Sequence, residues 1–418
     1  MRTSLVLVAV LAACFTIPAA SQTPAASGVA YFSEQSNGRL TLDEAWSMAA
    51  ARNPGLIAAS ADTMSTDGLV TQAGLRPNPE LEVTVEDTRS NTRITTAVVS
   101  FPLELGGKRD ARVRAATVDR DVARQGLANA RNELRASVVL AFFQVGIAEQ
   151  RLSAADAMVE VAERGLDAAD KRVAVGKVPP LERSRAQVAV ANARIAQREA
   201  KLTLRQARVA LAALWGDAQP SFGTVDASLD VLPMRQGPDV LQRALIDSPK
   251  VVAGRLDIER SQASLGVARS KRYGDVRLNV GMARENEPGR NIAQVGVSFP
   301  LPLNDTNQGN IYAAAMQVQR AEAAYRDLML RSEVELDQAV AAYDVALESV
   351  REFESDVLPA ADFATNATRK AFEAGKVGFT EVLDAQRTFF EARTEHLDAL
   401  LRAYQRYADI DRLTGPAR

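Results

Sequence analysis

The chain has 418 residues, of which 47% are hydrophobic and 24% charged, and its formal net charge is −2 at neutral pH. That balance excludes a disordered chain, and the near-zero charge gives no support for a nucleic-acid partner. Only 5% of residues are aromatic, while alanine, arginine, valine and leucine dominate long stretches, which favours extended helix over a compact mixed core.

Residues 1–21 open with Arg2, run apolar from Leu5 through Cys14 and reach Ala19-Ala20-Ser21. This is the pattern of an export signal with a small-residue cleavage site. Leu11-Ala12-Ala13-Cys14 also has the form of a lipoprotein cleavage box, so Cys14, the sole cysteine, is either removed with the signal or lipidated. Beyond it there is no apolar run of about 18 residues, so any membrane crossing must be made by strands of a closed barrel. Residues 22–39, small and polar, form an N-terminal arm.

A first unit covers 40–215. Thr41-Leu42-Asp43-Glu44 starts a helix that runs, with a break at Asn53-Pro54, to about Gln72, and Leu75-Arg76-Pro77-Asn78-Pro79 stops it. Within 80–103, Leu81, Val83 and Val85 alternate with Glu82, Thr84 and Glu86, and Thr95, Ala97, Val99 and Phe101 alternate with Thr96, Val98 and Ser100. Period two predicts a β-hairpin of membrane-spanning length. From Gly106 to Ala174 no proline occurs, and Leu127, Leu134, Ala141 and Ala148 recur every seven residues. This predicts a helix on the order of 100 Å long, which needs neighbouring helices as coiled-coil support. In the tip, 175–182, Gly176 offers a left-handed cap and Pro179-Pro180 restarts the chain into a helix from Leu181 to about Trp215.

Residues 216–237 hold Gly216, Pro220, Gly223, Pro233 and Gly237, a linker. The second unit, 238–418, repeats the order: a helix from Val240 to about Lys271, a hairpin over 275–301, and a long helix from about Gln308 to Ala374 with heptads at Leu336, Tyr343 and Val350. Pro359 predicts a kink in that helix. A tip over 374–384 follows, then a last helix ending near Leu413-Thr414-Gly415. The units echo each other in detail. Arg52-Asn53-Pro54 matches Asp247-Ser248-Pro249, Ser100-Phe101-Pro102-Leu103 matches Ser298-Phe299-Pro300-Leu301, and Gly176-Lys177-Val178 matches Gly375-Lys376-Val377, all between 195 and 199 residues apart. Such a spacing marks an internal two-fold repeat. In each unit the two shorter helices sum to about the length of the long one, so stacked end to end they make a second strut.

Helix, hairpin, long helix, tip and helix, twice over, resembles the TolC family of outer-membrane efflux channels. The resemblance covers nearly all of the chain after the signal and is most specific at Gly375-Lys376-Val377-Gly378-Phe379-Thr380-Glu381-Val382-Leu383-Asp384-Ala385-Gln386 and at the hairpin ends, Phe101-Pro102-Leu103 and Phe299-Pro300-Leu301. It implies a mainly α fold with a small β part: a trimeric α-helical barrel of coiled-coil helices continued into a 12-stranded outer-membrane β-barrel, with four strands per chain. Two hairpins cannot close a barrel alone, so the strand pattern also requires oligomerisation. Glu104-Leu105-Gly106-Gly107-Lys108-Arg109 and Pro302-Leu303-Asn304-Asp305-Thr306-Asn307-Gln308-Gly309-Asn310-Ile311 are similar to the heavy-metal branch, the channel component of cobalt-zinc-cadmium resistance pumps. That branch usually carries arginine before Asn-Gln-Gly, where this chain has Thr306. The resemblance implies a homotrimer in outer-membrane lipid, extending into the periplasm of a Gram-negative bacterium, where it works with a periplasmic adaptor and an inner-membrane pump of the RND type. A duct for drugs or a secreted polypeptide, or a periplasmic coiled-coil scaffold or adaptor, are the alternatives.

The resemblance places Glu182, Glu381 and Asp384 at the periplasmic mouth, as a gate that favours cations. They are equally placed to act as N-terminal acids stabilising helix dipoles. Arg183 and Arg185 are expected to pair with Glu381 or Asp384 and hold the mouth closed, or else to be solvated. Gly176, Lys177, Val178, Gly375, Lys376 and Val377 are the expected adaptor-docking turns, with both glycines serving as caps. His396, the only histidine, is expected on a coiled-coil surface, and no dedicated metal site or cofactor is expected. Glu82, Thr84 and Glu86 with Arg277 and Asn279 should line the barrel while Leu81, Val83, Leu278 and Val280 face lipid; the competing reading is a soluble sheet with the opposite faces buried. No phosphate loop or nucleophile–base set is present, which argues against an enzyme.

Overall fold

The structure is a computed structural model and describes residues 39–87, 89–229 and 232–415. The signal, Cys14 and the arm up to residue 38 lie outside the described residues. Nine α-helices and four strands are found among the described residues.

Helix α1 (Leu42–Arg52) starts with a capping box: Thr41 Oγ1 accepts from the Glu44 amide at 3.3 Å while the Glu44 carboxylate accepts from the Thr41 amide at 2.9 Å. Pro54 at the first position of α2 (Pro54–Ala73) forces the break between them. Strands β1 (Glu80–Glu86) and β2 (Ile94–Leu103) form the first hairpin. Helix α3 (Lys108–Ala174) runs 67 residues without interruption, about 100 Å at the α-helical rise. After the first tip, α4 (Pro180–Ala213) returns.

The second unit departs from expectation twice. The predicted helix from Val240 to Lys271 is two helices, α5 (Pro238–Ile246) and α6 (Pro249–Ser270). Pro249 has no amide to donate, and the Ser248 hydroxyl caps the new start by accepting from the Val251 amide at 3.4 Å. Strands β3 (Val276–Glu285) and β4 (Arg290–Ser298) follow. The second long helix is also divided: α7 (Gln308–Glu352) passes through a π turn, Phe353–Val357, into α8 (Leu358–Glu373). A kink was expected at Pro359, and the π turn is what accommodates it. The Leu358 amide reaches back five residues to the Phe353 carbonyl, so the ladder is already widened when the proline ring would meet the carbonyl four residues before it. Helix α9 (Phe379–Thr414) ends the fold.

The helices pack as a wall of four struts in the order α2 with α4, α3, α6 with α9, then α7 with α8. The heptad residues Leu134, Ala141 and Ala148 of α3, and Leu336, Tyr343 and Val350 of α7, are buried in it. End-to-end stacking of the short helices has a specific joint. The Asn53 side chain donates through Nδ2 to the Leu214 carbonyl at the end of α4 (2.7 Å) and accepts through Oδ1 from the Leu56 amide at the start of α2 (2.9 Å). One amide thus satisfies both helix ends. In the second unit, Glu335 of α7 joins Lys250 at the start of α6 (3.5 Å) to Arg412 at the end of α9 (2.6 Å). The units are knit by the Phe143 and Tyr404 rings, stacked with centroids 3.7 Å apart, and by the Arg151–Asp398 ion pair. The 216–237 segment buckles onto the wall: Leu40 pairs in parallel with Val225, and Arg235 holds Asp344 through two hydrogen bonds of 2.7 and 2.8 Å.

The strands form one antiparallel sheet in the order β1-β2-β3-β4. Its register sorts residues onto two unlike faces. Leu81, Val99, Val280 and Val295 lie in one row, with Val83, Ala97, Met282 and Ala293 in the next. On the other face Glu80, Ser100, Asn279 and Gly296 share a row, and Ser100 donates to Asn279 Oδ1 at 2.8 Å. The glycine-rich turn below the sheet anchors it to the helices: Lys108 Nζ meets Asp275 at 2.7 Å, Arg109 Nε donates to the Gly74 carbonyl at 2.6 Å, and Arg112 grips Glu104. Asn307, in the left-handed region at φ 61°, does the same job at the second hairpin by donating to the Ala268 carbonyl at 2.7 Å. Thr306, at the position where arginine was expected, donates to the Gln308 side chain at 3.0 Å.

Candidate functional site: the hairpin tips and the sheet

Both long struts end in the same way. Gly176 (φ 71°) and Gly375 (φ 72°) adopt the left-handed conformation. Their amides donate to Val173 and Phe372 carbonyls, both at 2.9 Å, and the next amides, of Lys177 and Lys376, reach Arg172 and Ala371 carbonyls at 2.9 and 2.8 Å. These paired bonds are a Schellman cap, which any residue with a Cβ would strain. Gly176, Lys177, Gly375 and Lys376 are exposed, and Val178 and Val377 half-buried. The tips then diverge: Pro179 and Pro180 open α4, whereas Gly378 precedes α9 and the Glu381 carboxylate folds back over it.

The two tips meet within one chain. Ala169, Ala186 and Val382 are buried together beneath Leu166, Phe372 and Leu383. The Arg172 guanidinium sits 4.0 Å from the centroid of the Phe372 ring, a cation–π contact, and Arg185 Nη1 donates to Thr380 Oγ1 at 3.2 Å. Arg172 and Phe372 lie outside every sequence motif, and the tip motif that contains Thr380 gives no sign of its partner, because only the packing of one unit on the other brings these groups together.

The expected arginine–carboxylate pairs across the tips are not those found within the chain. Arg183 pairs instead with Asp170 of α3 at 2.9 Å, Arg185 takes the Thr380 hydroxyl, and Asp384 lies 3.8 Å from Arg387 one turn along its own helix. Arg183 is in the first turn of α4, beside the last turns of α3, so the nearest carboxylate is local. Asp384 and Glu381 are exposed. Glu182 places Oε2 in a buried position with no hydrogen-bond partner among the described residues.

His396 corrects a further expectation: its side chain is only 15% exposed, and Nε2 lies 3.4 Å from Glu354 Oε1 in the π turn. Among the described residues no group of three or more histidine, cysteine, aspartate or glutamate side chains could hold a metal ion.

The sheet completes the site. Its apolar face is bare to solvent in the single chain, with Val295 76% and Leu81 61% exposed, and its outer strands β1 and β4 have unpaired edges. Water is the wrong neighbour for such a face, and a closed barrel in lipid is the environment that satisfies both the face and the edges. No described helix is long and apolar enough to cross a membrane.

A wall of tunnel-length helices ending in such a sheet defines the protein as a subunit of an outer-membrane duct. The outer membrane efflux protein family model matches the chain twice, over residues 45–217 and 240–416, and the chain belongs to that family. It is 42% identical over 389 residues to the cobalt-zinc-cadmium resistance protein CzcC of Cupriavidus metallidurans, covering 93% of each chain. It is also 28% identical over 293 residues to the nickel and cobalt resistance protein CnrC of the same species, covering 69% of each. The fold is that of CusC, with a TM-score of 0.77 at 17% identity over 90% of this chain and 92% of that one. It also matches the Neisseria gonorrhoeae MtrE outer membrane channel, with a TM-score of 0.76 at 22% identity over 90% and 88%.

Proposed function

We propose that three copies of this chain close a barrel in the outer membrane and form a passive duct for heavy-metal cations, delivered by an inner-membrane pump of the RND type through a periplasmic adaptor. The observation that carries the duct is the two-faced sheet with both edges open: four strands per chain, three chains, and no edge left. The likeness to CzcC supports the cargo. The chain supplies the conduit and no chemical step, and the energy comes from the pump. The polar face, with Glu82, Thr84 and Glu86 on β1 and Arg277 and Asn279 on β3, lines the lumen, and Leu81, Val83, Leu278 and Val280 face lipid.

The tips form the periplasmic mouth. Glu182, Glu381 and Asp384 from each copy concentrate negative charge there, which favours cations over anions. The Arg185–Thr380 bond and the Arg172–Phe372 contact tie the first tip to the second and keep the mouth narrow, with Arg183 bracing the first tip through Asp170. The turns Gly176-Lys177-Val178 and Gly375-Lys376-Val377 present the adaptor-docking surface. Deleting the gene in its host should raise sensitivity to zinc, cobalt and cadmium. Unchanged metal tolerance with lost drug tolerance overturns the cargo, and recovery of the chain as a water-soluble monomer overturns the duct in favour of a periplasmic scaffold. For the mouth, Arg185→Ser should raise single-channel conductance in a planar bilayer; a channel no more open than wild type removes Arg185 from the gate.

A further inference from the structure

The two tip-bearing struts differ at one place. Helix α3 descends to the first tip through 67 residues of unbroken α-helix. The strut to the second tip is interrupted by the π turn Phe353–Val357, followed at once by Pro359. A π turn forfeits regular i to i−4 bonding, and π turns cluster where helices do mechanical or chemical work. Only one of the two tips therefore hangs from a jointed strut.

The joint has a brace of a particular kind. His396 of α9 faces it, with the imidazole Nε2 3.4 Å from Glu354 Oε1 and the ring 6.2 Å, centroid to centroid, from Phe353. The Nε2 atom is buried and makes no hydrogen bond among the described residues, so its contact with Glu354 is one of charge and depends on imidazole protonation. Behind the pair lies an open cavity of about 510 Å³ between α3, α8, α9 and the 216–237 segment, giving the joint room to move. The charged groups lining it are Glu354 of the π turn, Asp362 of α8, and Arg393 and His396 of α9, while α3 contributes Gln150 and the linker Ser228. Of these side-chain types only an imidazole changes charge between about pH 5 and 8.

We infer that the π turn is the pivot of the second tip and that His396, with Glu354, is a proton-operated latch on it. Protonated, His396 draws Glu354 onto α9 and holds α8 against its partner. Neutral, it releases the joint, and α8 can shift against the unbroken α9 into the space beside the π turn, carrying the second tip with it. The mouth is thus tighter in a mildly acidic periplasm and looser in a neutral one. The inference rests on reading the tips as the mouth of a duct.

The test uses the full chain, purified with a tag free of histidine and inserted in planar bilayers. Wild-type conductance should rise about two- to fivefold between about pH 5.5 and 8, the span that a partly exposed ion pair can shift in a two-state population. In His396→Gln and in Glu354→Gln that rise should be lost, with conductance at the high-pH level throughout, and the double variant should match either single one. Amide exchange at 353–357, corrected for intrinsic pH dependence, should accelerate on raising the pH in wild type and not in His396→Gln. A His396→Gln channel that keeps the wild-type pH profile, or exchange at the π turn indifferent to pH in wild type, overturns the latch. Absence of conductance at every pH overturns the duct itself.

Discussion

The joints where short helices stack end to end are built from different chemistry in the two units. In the first, one neutral side chain does everything: Asn53 donates to the end of α4 and accepts from the start of α2. Ser248 occupies the equivalent place in the second and serves only the start of α6, at 3.4 Å. The end of α9 is reached by an ion network, Lys250–Glu335–Arg412, anchored on α7. A hydroxyl is too short to span two helix ends, so the second unit recruits charge from the neighbouring strut. The duplicated topology survives the exchange, but the first joint is bonded by a neutral amide and the second by ion pairs, so only the second should respond to pH and salt.

The two unlike joints sit in one wall that is held together across the units, and the aromatic contact between them is the Phe143–Tyr404 ring stack. Tyr404 is fully buried. Tyr404→Ala should therefore cost about 3–5 kcal/mol, the largest effect expected here, and should show as a single lowered unfolding transition that takes both units with it. Two separated transitions would mean that the units stand independently. Next in size, Asn53→Ala leaves a carbonyl and an amide unpaired and should cost about 1–3 kcal/mol, against about 0.5–1 kcal/mol for Ser248→Ala. Equal losses in thermal unfolding of the two variants would remove the asymmetry of the joints.

Much of this was legible beforehand. Period two marked the strands and their two faces, because a half-buried strand must alternate. Seven-residue spacing marked α3, and Gly176 and Gly375 marked the tips, because a left-handed cap needs glycine. Asn53-Pro54 and Ser248-Pro249 carry the same signal, a capping side chain before a proline, and the chain breaks its helix at both. The π turn was not legible: Pro359 announces a disturbance, but whether a helix kinks or widens depends on what packs beside it. The tip contacts depend on packing in the same way. Charge alone matches Arg183 and Arg185 to the acids of the other unit, but within the chain Arg183 meets Asp170 and Arg185 meets the uncharged Thr380. Sequence period reports which face is buried, and it says little about which polar groups meet across two helices.

The smallest expected effect isolates the second joint by its pH dependence. Burial tends to raise the Glu335 carboxyl, but its hydrogen bond to Arg412 and the charges of Lys250 and Arg412 outweigh that, and the net shift is downward from 4.5. A carboxylate whose folded value is depressed adds stability that is fully present above its unfolded value and is lost as pH falls through the folded one. Glu335→Gln should therefore lower the unfolding temperature at neutral pH, by an amount equivalent to less than about 1 kcal/mol because the pair is partly exposed, and the deficit should shrink as pH falls through the lowered folded value and shrink in high salt. Asp411, one residue before Arg412, is pushed the other way by burial, only partly offset by Arg135. Its charge costs stability as pH rises, so the wild-type profile mixes both signs and only the difference between variant and wild type reports Glu335. Asn53→Ala supplies the control, since an amide does not titrate and its deficit should be the same at both ends of the range. A Glu335→Gln deficit equally flat with pH would show that the second joint, too, works without charge.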